Sequence, residues 1–182
     1  MTKKKLLIML IVTICTVALS VGATLAYLTA ISATVENVFT IGEVEITLTE
    51  TTGESYDLIP GATVQKNPSV TVKGGSEDSF VFVKIDETNG LSNYISYSVA
   101  EGWTPLGGSP GVYYRQLVKT GWDMSYGVLK DDCFSVKNTL TKEKMSAITT
   151  LPTLKITAYA VQSYGMDTVV DAWQEVYLEF NP

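Results

Sequence analysis

The residue types that carry acid–base and nucleophilic chemistry are sparse in this chain. No histidine occurs among its 182 residues. That removes the Ser-His-Asp triad, the Cys-His pair and the His-Glu-x-x-His zinc helix. Cysteine occurs only as Cys15 and Cys133. Cys133 stands in Asp131-Asp132-Cys133-Phe134-Ser135-Val136. This reads as a strand start with a buried structural thiol, since free cysteine is among the most buried residue types. Carboxylates come in pairs at Glu77-Asp78, Asp86-Glu87 and Asp131-Asp132. A calcium loop needs oxygen ligands at alternating positions around a glycine turn, and none of the pairs has that pattern. A glycosidase needs two carboxyl groups about 5–9 Å apart, and nothing in the sequence brings two together. The pairs read as solvated loop charge. Gly107 to Gly111 sits between strands rather than before a helix, so it reads as a flexible loop and not as a phosphate cradle. No catalytic residue, metal ligand or cofactor is therefore assigned.

Aromatic side chains are the remaining candidates. Trp103, Tyr113, Tyr114 and Trp122, with Tyr126 close behind, cluster between long loops. As a surface they would make a platform for a sugar or a protein partner. The plainer reading is packing inside a β-rich hairpin.

The elements that must position these residues show a period of two. Val44, Ile46 and Leu48 point one way; Glu43, Glu45, Thr47 and Thr49 point the other. Val64 to Val72 is extended, with Pro68 favouring an edge or an irregular strand. Ser79 to Asp86 is the strongest strand. Phe80, Phe82 and Lys84 share one face and Val81, Val83 and Ile85 the other, which suggests a central position. Tyr94–Val99, Val112–Val118, Met124–Leu129, Cys133–Val136 and Thr153–Gln162 complete the strands. One late helix follows, with Asp167 as its cap and Val169, Val170, Trp173 and Val176 as its apolar face. A weaker helical turn is expected at Thr141–Met145, capped by Thr141 or Asn138. Seven or eight short strands and one late helix predict an all-β fold, an antiparallel β-sandwich.

The N-terminus has the layout of an export signal. Lys3, Lys4 and Lys5 precede an apolar run from Leu6 to Leu19, and Ala23, Thr24 and Ala26 offer a cleavage site. The stretch from Leu6 to Leu28 is also long enough for an uncleaved anchor. The chain carries 13 basic and 19 acidic residues. Losing the three lysines leaves 10 against 19, a net charge of −9. So acidic a chain argues against nucleic acid as a partner. Cys15 would leave with the signal, and a single remaining cysteine forms no intrachain disulfide.

Two stretches carry a family resemblance: Gly22-Ala23-Thr24-Leu25-Ala26-Tyr27-Leu28, and Asn37-x-Phe39-x-x-Gly42-x-Val44-x-Ile46-x-Leu48. They resemble the TasA/camelysin family of Gram-positive secreted proteins, whose precursors are cut by a dedicated signal peptidase of the SipW type. Ile156-Thr157-Ala158-Tyr159-Ala160-Val161-Gln162 is similar to a late strand of the same class. The resemblance implies a cut between Ala26 and Tyr27, so that residues 1–26 are signal peptide and 27–182 one secreted domain. It sharpens the sandwich to a jelly roll. It implies a structural protein of the cell surface or extracellular matrix, a biofilm fibre subunit that assembles by donating an N-terminal strand. Leu28, Ile31 and Val35 would supply the inserted side chains, though they are not spaced by twos; the alternative for this segment is that it folds back onto its own sheet or stays disordered. Camelysin's metallopeptidase activity is not carried over, because the histidine ligands are missing. The alternative is a surface module that binds sugar or a host protein. Membrane contact is expected only through the precursor's signal segment.

Overall fold

The computed structural model describes Lys4, residues 43–53 and residues 55–180. The chain divides into two units, Met1–Thr40 and Ile41–Pro182. The second unit holds the strands β1 (Ile46–Thr49), β2 (Thr63–Gln65), β3 (Ser69–Val72), β4 (Ser79–Glu87), β5 (Ile95–Ser96), β6 (Thr104–Pro105), β7 (Val112–Leu117), β8 (Met124–Gly127), β9 (Cys133–Val136) and β10 (Leu154–Gln162). Its α-helices are α1 (Lys142–Ser146) and α2 (Val169–Phe180). The strands form three sheets, in the orders β1-β3-β8, β10-β4-β7-β6 and β2-β9-β5. Every pairing is antiparallel. The fold is all-β with a short C-terminal helix.

β4 is central, as its two apolar faces require. It pairs along its full length with β10 and over six residues with β7. Phe80 and Phe82 cluster with Tyr159, Trp173 and Val176 beneath α2. Val81, Val83 and Ile85 cluster with Val70, Val72 and Val128 of the β1-β3-β8 side. Phe82, Val81 and Val83 are completely buried. The two larger sheets thus share one apolar layer, and α2 closes the outer face of the four-stranded sheet. Lys84 lies on the Phe82 face, where Nζ pairs with Asp86 at 3.1 Å and sits 5.2 Å from the Tyr177 ring centre.

The segment around Pro68 is two strands rather than one. β2 and β3 belong to different sheets, and the fully buried Pro68 lies between them. Proline has no N–H for a ladder, so pairing stops there. Its carbonyl still accepts the Val128 N–H at 2.9 Å.

α2 starts one residue later than an Asp167 cap would place it. Thr168 is the cap: its Oγ1 accepts the Asp171 N–H at 3.2 Å and donates to Asp171 Oδ2 at 2.7 Å. Trp173 and Val176 are buried as their spacing predicts, while Val170 is exposed. Thr141 caps α1 by accepting the Lys144 N–H at 3.4 Å. A satellite core of Leu91, Ile95, Phe134, Val136 and Leu140 lies under the third sheet.

Candidate functional site

One flank of the β unit is built from two sheet edges. Among the described residues β1 pairs only with β3, and β10 only with β4. β1 and β10 nevertheless approach each other closely. The chain leading into β1 is pinned on the β3 side. The Lys73 N–H donates to the Glu45 carbonyl at 3.0 Å, the Glu77 N–H to the Glu43 carbonyl at 3.1 Å, and the Glu45 N–H to Ser76 Oγ at 3.1 Å. Both edges therefore belong to well-held strands.

Between them runs a trough of two cavities. The first, of about 530 Å³, has Val44, Glu45 and Ile46 on one wall and Thr157 to Ala160 on the other. The second, of about 430 Å³, lies between Leu48 to Thr51 and Leu154 with Ile156. The apolar side chains around it are incompletely covered. Ile46, Leu154, Ile156, Ala158 and Ala160 are half-buried, and Leu48 is 38 % exposed. The equivalent inward row on β4 is 0–6 % exposed. Alanine at 158 and 160, where β4 has valine, leaves room at the trough.

A polar cluster lines the wall at one end. Lys66 Nζ holds both carboxylate oxygens of Glu50, at 2.8 and 2.9 Å, and lies 5.1 Å from the Tyr56 ring centre. The Tyr56 hydroxyl donates to Glu50 Oε1 at 2.5 Å. Asn67 fixes the neighbouring loop, accepting the Thr51 N–H at 3.0 Å and donating to Thr51 Oγ1 at 2.7 Å. Burial pushes the Glu50 carboxyl up. The hydrogen bonds from Lys66 and Tyr56, with the charge of Lys66, outweigh it and hold the carboxyl below its ordinary value. The cluster is neutral overall and internally satisfied, so it orders the loop rather than offering a free charge.

The aromatic candidates do not share a surface. Trp103 is 7 % exposed, and its Nε1 donates to the Gly127 carbonyl at 2.8 Å. Adjacent residues of a strand face opposite ways. Tyr114 therefore packs toward Phe82, with ring centres 6.4 Å apart, while Tyr113 joins the layer between the sheets. Trp122 alone is open, at 67 % exposure. Trp103 and Tyr126 instead hold Arg115, whose guanidinium carbon is 5.0 and 4.7 Å from their ring centres. Gly102 has a φ of +85°, and a Cβ there would collide with the Arg115 guanidinium. This clamp fills the region opposite the trough with packed side chains.

Two of the carboxylate pairs, Glu77-Asp78 and Asp86-Glu87, act as pins. Glu77 Oε1 meets Lys119 Nζ at 2.6 Å, and Asp78 Oδ1 accepts the Lys119 N–H at 2.7 Å. Glu87 accepts the Tyr97 hydroxyl at 2.7 Å; burial and that hydrogen bond push the Tyr97 hydroxyl well above its usual value. Asp131 and Asp132 take left-handed φ values of 56° and 50°, a conformation that aspartate tolerates better than most residues. Cys133 is half-buried rather than buried. No group of three or more His, Cys, Asp or Glu residues that could hold a metal occurs among the described residues. Ala26, Tyr27, Leu28, Ile31 and Val35 lie outside the described residues.

Sequence reasoning misses the trough. Its only signals are the alanines at 158 and 160 and the aliphatic Leu48 on an otherwise polar strand end. No helix among the described residues is long and apolar enough to cross a membrane. In comparisons with known proteins, no family model, no curated protein and no solved structure matches this chain.

Proposed function

We propose that this chain is a secreted, non-enzymatic structural protein of the cell surface or extracellular matrix. Its precursor loses residues 1–26 to a dedicated signal peptidase. Its strands are connected as a jelly-roll sandwich. Its subunits join when the N-terminal segment of one copy, residues 27–38, enters the trough between β1 and β10 of the next. One observation carries this reading: among the described residues, two well-held strands present unpaired edges on one flank, with a half-covered apolar row between them. An open edge accepts a strand from another chain, because its outward N–H and C=O groups are not engaged in a ladder. Leu28, Ile31 and Val35 supply apolar side chains to cover the row. Each such side chain contributes about 1.5–3 kcal/mol when fully buried, which offsets part of the cost of ordering the segment, about 1–2 kcal/mol per residue; hydrogen bonds to the open edges contribute the rest. Signal cleavage is the switch, since a strand tethered in the membrane cannot be donated.

The test compares the mature chain with one beginning at Val38, by light scattering and electron microscopy at rising concentration. The mature chain should assemble and the shortened one should stay monomeric. Equal behaviour of the two would refute strand donation.

A further inference from the structure

The trough does not stop at Leu154. Lys66 and Leu154 also line a third cavity, of about 290 Å³, floored by Leu91, Ile95 and Phe134. Those three are only 4–5 % exposed, so the floor is well packed. The rim is not: Leu151 is 75 % exposed. Lys66 is the cation in the wall, and it already holds both oxygens of Glu50. A cavity of this make suits a neutral apolar or aromatic side chain rather than an anion.

Resting on the strand-donation reading, we infer that this cavity is a socket for the first residue of the entering strand, Tyr27 of a neighbouring copy. Its occupation fixes the strand's register. Direction supports this. Val44 to Ile46 lie opposite Thr157 to Ala160, and Leu48 to Thr51 opposite Leu154 and Ile156. The trough therefore has one end near Ala160 and Val44, and another beyond Leu154. The second end is walled by Tyr56, Pro152 and Thr153. A donated segment continues into its own folded body at Glu43. Only its free end, Tyr27, can occupy a walled cavity.

Register supports it as well. At one end of the trough floor the small side chains of Ala158 and Ala160 follow each other at alternate positions, so a slip by two residues there meets nearly the same surface. Leu28, Ile31 and Val35 are not spaced by twos and do not set a register by themselves. A single walled socket at the end supplies what the alanine positions lack.

The test uses the mature chain beginning at Tyr27, its Leu151→Asp variant, a chain beginning at Leu28, and the two changes combined. Leu151 is at an exposed rim, so the monomer's denaturant midpoint should be unchanged by Leu151→Asp. Each single change should raise the concentration at which assembly begins by about tenfold or more, the size expected for one large apolar side chain. The combination should be no worse than either alone, because both remove the same contact. If the mature chain assembles and Leu151→Asp leaves its threshold unmoved, or the two effects simply add, the socket is refuted while strand donation stands. If the mature chain stays monomeric throughout, both fall.

Discussion

At Glu50 three pieces of chain meet. Its carboxylate receives Lys66 from the β2–β3 junction, Tyr56 from the following loop, and Thr52 at 3.2 Å. Burial opposes the charge, and the hydrogen bonds and the lysine more than compensate. The folded carboxyl therefore titrates below its ordinary value of 4.5. A lowered folded value means that this stability is fully present above pH 4.5 and is lost as pH falls through the folded value. Glu50→Gln should cost about 1.5–3 kcal/mol at neutral pH, the range for a hydrogen bond to a charged group. The gap from wild type should narrow as pH falls below 4.5 and through the lowered folded value. Urea midpoints for both chains from pH 7 to pH 3 measure this. A gap that stays constant over that range would show that the carboxylate charge is not what matters. None of the cluster is legible along the sequence, because Glu50 and Lys66 are brought together only by the pairing of β1 with β3. By contrast, the two faces of Phe80 to Ile85 are legible, since β4 is paired on both sides and buried on both faces.

At the scale of elements, local chemistry decides boundaries that periodicity leaves open. Asp167-Thr168-Val169-Val170-Asp171 offers two side chains in succession that can cap a helix. The structure uses Thr168, with Asp171 three residues on closing the reciprocal contact. Thr168→Ala should therefore lower stability by about 1 kcal/mol, and Asp167→Ala by much less. Thermal melts of the two variants check the assignment, and a larger loss at Asp167 would reverse it. Pro68 marks the break between β2 and β3 for an equally local reason. Trp103, Tyr113 and Tyr114 are harder to place as a group. A strand's alternation says that neighbours diverge, but not which face meets a helix and which a second sheet.

For the whole molecule, the two flanks of the β unit differ in finish. Opposite the trough, Arg115, Trp103 and Tyr126 pack against one another, and burial pushes the Arg115 guanidinium below its usual value. Along the trough, β1 and β10 face each other with their apolar rows half-covered. Their positions in the chain are more than 100 residues apart, as Ile46 and Leu154 show. No local pattern reports that two such distant strands are both edges on the same side. The β character and the late helix follow from periods of two and 3.6 residues, and the open flank follows only from strand order. Hydrogen exchange before and after assembly of the mature chain tests the central claim most directly. Strand donation predicts slowed exchange in residues 44–50 and 154–162 on assembly, with α2 unchanged. Assembly without added protection of either edge would contradict it.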